Sequence, residues 1–376
     1  MSTEKAPSVE SQLALISQSS HRRRSKYVLV IHGGAGTMTR AGSTPGKIEA
    51  YRVALREALD AGYKVLSEGG EAMDAAVAAV AAMEDNELFN AGKGAVFNVE
   101  GKNELEASLM LSKPPCSHPE IPPSRRGLGL TLLTRTRNPS KLARALYLKP
   151  TLAPHTFLSG SNAEMIGEKL GENMVDPSYF FTERRWKEHR RGLGLPDEPY
   201  PAGAGKTGED DALDMNPKGT VGAVALDVNG CICSVTSTGG RTNKLVGRIG
   251  DTPLMASGYW AESWETTGWR RMWNRFTGKP AEQAIGISGT GDGDYFIRHA
   301  TAVTIAHRVR YLGETIEAAS AIAVEDLRKD GGDGGVIVLD NEGNVSLALN
   351  CEGMYRGVIR EDGVGKVAIF HDDVLD

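Results

Sequence analysis

The strongest constraint on the fold is a short apolar run that ends in glycines. Residues 27–31 read Tyr-Val-Leu-Val-Ile, and residues 32–36 read His-Gly-Gly-Ala-Gly. A β-branched run without polar alternation predicts a strand that is buried on both faces. The glycines allow backbone N–H groups to converge on an anion or a developing oxyanion, although nucleotide-binding turns and lipase-like loops share this pattern. Such a strand needs cover on both faces, which indicates a fold with more than one packed layer.

The rest of the pattern predicts sheets that lie between layers of helices. An alanine-rich stretch at 71–84 is apolar nearly all round, which favours a deeply buried helix. Other helices are predicted at 46–67, 139–148, 297–311 and 314–329. Strands are predicted at 128–135 and, as two hairpins, at 220–227 with 231–236 and at 335–340 with 345–349. Five prolines between residues 112 and 126 predict an irregular excursion.

Composition excludes several classes of protein. The chain has 376 residues, 40% of them hydrophobic and 24% charged, which excludes bulk disorder. A net charge of −5 argues against nucleic-acid binding. No apolar stretch approaches the ~18 residues of a membrane span, and residues 13–16 are too short for a signal-peptide core. We therefore expect a cytoplasmic protein that binds neither membrane nor nucleic acid. Cys231 and Cys233 should be small core residues on one face of a strand.

Two segments are predicted to lack fixed structure. Residues 1–26 contain five basic and two acidic side chains and are predicted to form a disordered basic tail, with a targeting or contact signal as the alternative. Residues 184–219 are rich in Arg, Lys, Gly, Pro and Asp, and cannot bury enough apolar surface to hold one structure. We predict a flexible linker there. It joins the ordered regions 27–183 and 220–376, which form one domain.

Four segments rich in glycine, serine and threonine are candidates for chemistry. They are 32–36, the Gly-Thr-Val-Gly of 219–222, the Thr-Ser-Thr-Gly-Gly of 236–240 with the Gly-Arg-Ile-Gly-Asp of 247–251, and the Ser-Gly-Thr-Gly-Asp-Gly-Asp of 288–294. In this order they resemble the plant-type L-asparaginase and isoaspartyl-peptidase family of N-terminal nucleophile hydrolases. Further matches are at 88–97, 176–180, 185–186 and 353–357, so that the resemblance covers nearly all of 27–370. It implies an α+β fold of the four-layer αββα type.

The resemblance also implies a precursor that cleaves its own Gly219–Thr220 bond. The products would be an α chain of residues 1–219 and a β chain of residues 220–376, assembled as (αβ)2. A polar linker before the bond would let the new chain end move away, and glycine removes a Cβ that would crowd the bond. The freed Thr220 would carry both a hydroxyl nucleophile and an α-amine base, whose reference pKa is ~7.7–8.0.

The roles of the site residues are likewise implied by the resemblance. Thr220 would be the nucleophile and Thr238 its support, while Thr290 and Asn90 would stabilise the oxyanion. Arg248 would bind the α-carboxylate of the substrate through its planar fork, and Asp251 would bind the α-ammonium; an i,i+3 ion pair between them is the alternative. Other substrate-binding positions would be Ile249, Gly250, Gly291, Asp292 and Gly293.

Neighbouring segments would have supporting roles. The resemblance gives the glycines at 33, 34 and 36 a positioning role and leaves His32 a structural one. It also implies a sodium loop of backbone carbonyls, at Met83, Glu84, Asn86, Phe89, Ala91 and Lys93. Asp292 and Asp294 alternate as in a metal-binding loop, but they lack the twelve-residue spacing of a calcium loop, which disfavours a metal site there.

The implied activity is hydrolysis of the side-chain amide of L-asparagine and of β-aspartyl dipeptides, with no cofactor beyond a structural sodium ion. Glycosylasparaginase activity, taspase-like protein cleavage and an unprocessed, non-catalytic scaffold are the alternatives. A lipase-like enzyme is disfavoured because 286–290, Gly-Ile-Ser-Gly-Thr, fails the G-x-S-x-G pattern. Leu111-Ser112 replaces the Asp-Gly common in the family, and the extra acids Asp292 and Asp294 should disfavour acidic substrates.

Overall fold

Two sheets of unequal size form the framework of the protein. The computed structural model describes residues 26–36, 38–196, 198, 219–268, 271–272, 276 and 281–376. Within these residues, the strands are β1 (Val28–Ala35), β2 (Leu105–Leu111), β3 (Gly127–Leu133), β4 (Phe157–Ser159), β5 (Val221–Leu226), β6 (Ile232–Thr238), β7 (Tyr259–Glu265), β8 (Glu282–Gly291), β9 (Gly334–Asp340), β10 (Val345–Leu349), β11 (Gly353–Ile359) and β12 (Lys366–Phe370). The large sheet has the order β12-β11-β1-β5-β6-β2-β3-β4, and the small sheet has the order β10-β9-β8-β7.

Helices cover both sheets. The α-helices of the described residues are α1 (Pro45–Ser67), α2 (Ala72–Glu84), α3 (Pro139–Tyr147), α4 (Gly160–Lys169), α5 (Glu183–Gly192), α6 (Gly293–His299), α7 (Thr301–His307) and α8 (Ile316–Lys329). Helices α1 and α2 pack on the large sheet, while α7 and α8 pack on the small sheet. Helix α1 begins where the Thr44 hydroxyl accepts the Lys47 N–H at 3.2 Å, a regular N-cap. No helix of the described residues is both long enough and apolar enough to cross a membrane.

The alternation of side chains along the central strands explains the packing. Leu29 and Ile31 of β1 lie in the core beneath the helices, whereas Val28 and Val30 point to the other face and pack in the cluster between the sheets. Strand β9 repeats the pattern, since Ile337 lies between the sheets and the next residue along the strand packs towards α8. The prediction of a strand buried on both faces is confirmed. Cys231 and Cys233 are buried in the core beneath the helices, as expected.

Two predicted boundaries are wrong for local reasons. Strand β1 does not stop at the glycines but continues to Ala35, and its register with β11 shifts between His32 and Ala35. Helix 297–311 is broken at Ala300, whose φ of 46° is left-handed. Hydroxyl groups satisfy carbonyls at the break, because Thr301 donates to Phe296 O at 3.4 Å and Thr304 donates to His299 O at 3.0 Å.

The linker predicted from residue 184 begins instead as helix α5. Arg185 and Glu188 are buried in this helix, at 3% and 0% exposure. The Arg185 guanidinium donates to the Glu188 carboxylate at 2.9 Å and to the Gly94 carbonyl at 2.9 Å. The segment was misjudged because its buried face consists of paired charges rather than apolar side chains. Residues 199–218 of the predicted linker and residues 1–25 of the predicted tail lie outside the described residues.

The buried ion pair of α5 gives a testable prediction about stability. Glu188→Ala should destabilise the fold by about 3–5 kcal/mol, because it leaves the Arg185 guanidinium buried without its carboxylate. Lys187→Ala is the matched control, since Lys187 pairs with Glu183 at 3.3 Å on the exposed side of the same helix. Loss of that pair should cost less than about 1 kcal/mol. Thermal melts of the variants should show a much larger decrease in Tm for Glu188→Ala; equal decreases would contradict this account.

Candidate active site

The residue that the sequence singled out, Thr220, lies directly before the central strand β5. This strand pairs with β1 on one side, with Gly222 opposite His32, and with β6 on the other, with Val221 opposite Ser237. Thr220 is only 6% exposed. The adjacent Gly34 has φ +118°, and a Cβ added there would lie 3.2 Å from the Gly219 Cα. The glycines after β1 therefore allow one backbone to approach the other at the Gly219–Thr220 bond.

Two side chains donate hydrogen bonds to the carbonyl of Gly219. The Asn90 Nδ2 donates to it at 2.8 Å and the Thr238 hydroxyl donates at 3.0 Å. The orientation of the Asn90 amide is fixed, because its second N–H donates to the Gly240 carbonyl at 2.7 Å and its Oδ1 accepts from Val96 N at 3.0 Å. Donors placed in this way polarise a carbonyl and stabilise the oxyanion that forms when its carbon is attacked.

Thr290, from β8 of the other sheet, contacts the nitrogen side of the same bond. Its hydroxyl oxygen accepts from Thr220 N at 3.1 Å and from Ala35 N at 3.2 Å. A hydroxyl has two acceptor lone pairs and one proton. Both lone pairs are used, and the Thr290 hydroxyl proton has no acceptor among the described residues.

A chain of buried hydrogen bonds fixes the carbonyl of Thr220. His32 Nδ1 lies 2.8 Å from Thr220 O and Nε2 lies 2.7 Å from Ser288 Oγ, which is 2.9 Å from the Thr236 hydroxyl. Burial lowers the pKa of His32 to about 3, so that the ring is neutral. A carbonyl can only accept, which places the proton on Nδ1 and makes Nε2 the acceptor of the Ser288 hydroxyl. His32, expected to be structural, thus also orients the backbone of Thr220.

A polar cavity opens in front of Thr220. It is lined by Glu106, Gly219, Thr220, Thr238, Gly240, Arg241, Arg248, Asp251, Gly291, Asp292, Gly293 and Asp294. The Arg248 guanidinium pairs with Asp294 at 3.0 Å, rather than with Asp251 as the alternative interpretation held. A Cβ added at Gly293 would collide with Asp251 Oδ1, so a side chain there would displace that carboxylate. The cavity therefore presents a guanidinium and several carboxylates beside a hydroxyl group.

The carboxylates of the cavity are electrostatically unusual. Burial raises the pKa of Asp251 to about 7, and the neighbouring charge of Glu106 adds to this while Arg248 opposes it. Burial also raises the pKa of Glu106, against the opposing charge of Lys244. One oxygen of each carboxylate, Oδ2 of Asp251 and Oε2 of Glu106, is buried without a hydrogen-bond partner among the described residues. Both groups are poised to bind a hydrogen-bond donor or a cation.

The structure brings most of the predicted residues together. Thr220, Thr238, Arg248, Asp251, Gly291, Asp292 and Gly293 line the cavity, while Asn90 and Thr290 contact the Gly219–Thr220 unit itself. Ile249 and Gly250 are not among the described residues that line it; the Gly250 N–H donates instead to Glu106 at 2.8 Å. Sequence reasoning missed Glu106. The available signal was a lone acid in the apolar strand β2, which reads Leu-Glu-Ala-Ser-Leu-Met-Leu.

The predicted sodium loop has a donor set that fits a hard cation. Its carbonyls are hard oxygen ligands of the kind that Na⁺ accepts, and those of Glu84 and Phe89 lie where Cβ atoms on Gly92 and Gly94 would collide with them. The carbonyls of Met83 and Asn86 already accept backbone N–H groups at 3.2 and 3.3 Å, and each keeps a second lone pair. Among the described residues, no group of three or more His, Cys, Asp or Glu side chains forms a metal site.

Comparison with known proteins assigns the chain to a family. The model of the asparaginase family matches residues 25–268 and 277–369. Similar proteins include an isoaspartyl peptidase of Escherichia coli, 34% identical over 90% of this chain and 98% of its own length. Proteins named isoaspartyl peptidase/L-asparaginase are 32% identical in Danio rerio, over 92% of this chain and 96% of their own, and 30% identical in Xenopus laevis, over 93% and 96%. With the family model covering most of its length, this chain belongs to the asparaginase family.

Proposed function

We propose that this member of the asparaginase family is a threonine-type amidohydrolase that matures by cleavage at Gly219–Thr220. It then hydrolyses the side-chain amide of L-asparagine and of β-aspartyl dipeptides. The observation that carries the proposal is the pair of donors on the Gly219 carbonyl, in a cavity that also contains Arg248 and Asp251. The names of the relatives from Escherichia coli and Xenopus laevis support both substrate classes.

Maturation follows from the groups around the cleavage bond. The Thr220 hydroxyl oxygen attacks the Gly219 carbonyl carbon, and the negative charge that develops on the carbonyl oxygen is stabilised by Asn90 and Thr238. Collapse breaks the bond between the Gly219 carbon and the Thr220 nitrogen, which takes up the proton lost by the hydroxyl. Water then hydrolyses the resulting ester, which leaves Gly219 as a carboxylate and Thr220 with a free amine and hydroxyl.

Hydrolysis of substrate uses Thr220 and Asn90 again after Gly219 has left. The Thr220 amine removes the hydroxyl proton, and the oxygen attacks the β-amide carbon of the substrate. The Thr290 hydroxyl proton has no acceptor among the described residues, and the Asn90 amide N–H is freed from Gly219, so both groups donate to the oxyanion. The amine leaving group departs with a proton, and water hydrolyses the β-aspartyl ester to aspartate. Arg248 and Asp251 hold the α-carboxylate and α-ammonium throughout.

We also propose the layer architecture, the assembly and an ion site of this protein. Packing of α1 and α2 on the large sheet, of the two sheets on each other, and of α7 and α8 on the small sheet supports the four-layer αββα sandwich. We propose that the two chains produced by cleavage assemble as (αβ)2, as the resemblance implied. The carbonyls of the 83–93 loop would hold a sodium ion. Since Asn90 belongs to this loop, the ion would stiffen the support of the oxyanion donor without taking part in the reaction.

Maturation is the first test. Purified protein should separate into chains of 219 and 157 residues, the lengths on either side of the Gly219–Thr220 bond. N-terminal sequencing of the smaller chain should begin at Thr220. Thr220→Ala lacks the attacking oxygen and should remain a single inactive chain. A small chain that begins at another residue would contradict the assignment, as would an uncleaved wild type with full activity.

The role of Arg248 is tested by Arg248→Lys. Lysine keeps the positive charge but loses the planar pair of donors, so KM for L-asparagine should rise about tenfold or more. Self-cleavage should be normal, because the precursor has no free α-carboxylate to bind. The measurements are steady-state kinetics and gel analysis of maturation. A variant that matures and keeps the wild-type KM would exclude Arg248 as the carboxylate clamp.

Asp251 predicts a specific pH dependence. Its pKa of about 7 means that the free enzyme carries a neutral carboxyl below that pH, under the combined influence of burial, Glu106, Asp294 and Arg248. The substrate ammonium prefers the ionised form, so kcat/KM for L-asparagine should fall as the pH drops through about 7. In the complex the ammonium keeps Asp251 ionised, so this limb should be absent from kcat, whereas titration of the Thr220 amine would affect both. Asp251→Asn should remove the limb; an unchanged profile would contradict the assignment.

A further inference from the structure

Glu106 is a buried acid that the proposed reaction does not use. It lies on β2 with 1% of its surface exposed, and it lines the cavity together with Thr220, Arg248 and Asp251. Its Oε1 accepts the Gly250 N–H at 2.8 Å and the Thr131 hydroxyl at 3.5 Å. Its Oε2 has no partner among the described residues. One half of the carboxylate is thus anchored, and the other half is left for a ligand.

Among the described residues that line the cavity, a second carboxylate oxygen is unpaired as well. Asp251 is 6% exposed, and its Oδ2 is buried without a hydrogen-bond partner there. Leaving a buried acceptor unsatisfied costs about 1–3 kcal/mol, and more for a charged group. An ammonium group has three N–H donors and a positive charge, which is the chemistry that two unpaired carboxylate oxygens in one cavity call for. A metal cation would supply the positive charge but not the three N–H donors.

The position of Arg248 determines how a ligand with both charges would be oriented in the cavity. A Cβ added at Gly250 would lie 2.8 Å from Arg248 Nη1 and 3.0 Å from Glu106 Oε2, so the two groups flank the same backbone position. A ligand that carries a carboxylate and an ammonium on one carbon therefore meets a guanidinium on one side and carboxylates on the other. The backbone of Gly250, held by Glu106, connects the two halves of this receptor.

We propose that Glu106 is a second carboxylate that binds the α-ammonium of the substrate together with Asp251, and that it determines specificity for ligands with a free α-amine. The inference rests on the proposed function, since it concerns the same cavity. Glu106 acts on recognition and not on the chemical step, because it contacts neither the Gly219 carbonyl nor the Thr220 hydroxyl in the described contacts. Burial raises the pKa of both carboxyls because it disfavours their ionised forms, and a cation beside them would favour ionisation again.

Binding of two products that differ only in the α-amine tests the proposal without reliance on turnover. L-Aspartate and succinate are titrated calorimetrically into matured wild type and Glu106→Gln, which keeps the shape and one acceptor but removes the charge. Wild type should bind L-aspartate more tightly than succinate. In Glu106→Gln the ratio of the two Kd values should shrink about tenfold, through loss of L-aspartate affinity alone, since a charge-assisted hydrogen bond contributes about that much.

Two further variants separate recognition from structure. Glu104→Gln is the matched control, because Glu104 lies on the same chain segment and accepts the Gly247 N–H at 3.0 Å without lining the cavity. It should leave the ratio unchanged. Glu106→Asp keeps the charge and should keep at least part of the discrimination, which makes the test independent of whether the Gln variant folds. Loss of the ratio in Glu106→Asp as complete as in Glu106→Gln would overturn the proposal.

The outcomes distinguish this inference from the proposed function. Equal weakening of L-aspartate and succinate by Glu106→Gln would show a structural role and overturn the inference, as would no change for either ligand. A wild type that discriminates through Glu106 yet hydrolyses neither asparagine nor β-aspartyl dipeptides would instead contradict the proposed function. As an independent readout, L-aspartate binding to Glu106→Gln should persist to lower pH than in wild type. Asp251 there faces one negative neighbour fewer, with Arg248 and Asp294 unchanged.

Discussion

The arrangement of the site depends on the hydrogen bonding of strand β5 to strands on both sides. Pairing with β1 and β6 fixes the register, and the faces of β5 are covered by helix α2 on one side and by β8 and β9 on the other. Thr220 directly precedes this strand, so the sheet delivers it to a defined point. Where the backbone hydrogen bonds between β1 and β5 end, the side chain of His32 donates a hydrogen bond to the Thr220 carbonyl. If Thr220 becomes a chain end as proposed, the bonds that hold it do not need the segment before it.

A second consequence concerns which contacts survive cleavage. The bonds of Thr220 to Thr290 and His32 involve its own nitrogen and carbonyl, whereas those of Asn90 and Thr238 involve the carbonyl of Gly219. The proposed cleavage would remove only the second set of bonds. Thr220 would keep its position, while the donors on the Gly219 carbonyl would become free to bind another carbonyl. Preorganised donors of this kind stabilise developing charge without having to reorganise during the reaction.

The sequence predicted the central strands β1, β5 and β6 and the place of Thr220 before β5, but it missed other strands, among them β2 and β8, and several boundaries and buried charges. Residues 28–31 form the expected strand that is buried on both faces, because an unbroken run of apolar residues can be recognised from the local sequence. Helix α5 was missed, since Arg185 is buried by pairing with Glu188 and not by apolar character. The predicted helix is broken at Ala300 because the backbone of this residue is left-handed, a conformation that an alanine in the sequence does not predict. Glu106 carried a visible signal, but its meaning depends on Gly250 and Arg248, far away in the chain.

The charges of the cavity support the proposal that it binds a zwitterionic head group. Arg248 is already paired with Asp294 at 3.0 Å, in a position where Asp294 is half exposed and screened by solvent. A substrate carboxylate that shares Arg248 therefore competes only with a weak, hydrated partner. Glu106 and Asp251 are buried and lack such hydration, so the free energy gained by supplying them with an ammonium is larger. An anion without an amine would gain only the contact with Arg248 and would leave the carboxylates of Glu106 and Asp251 without a cation. Preference for ligands with an amine would therefore follow from the deeper burial of these two carboxylates.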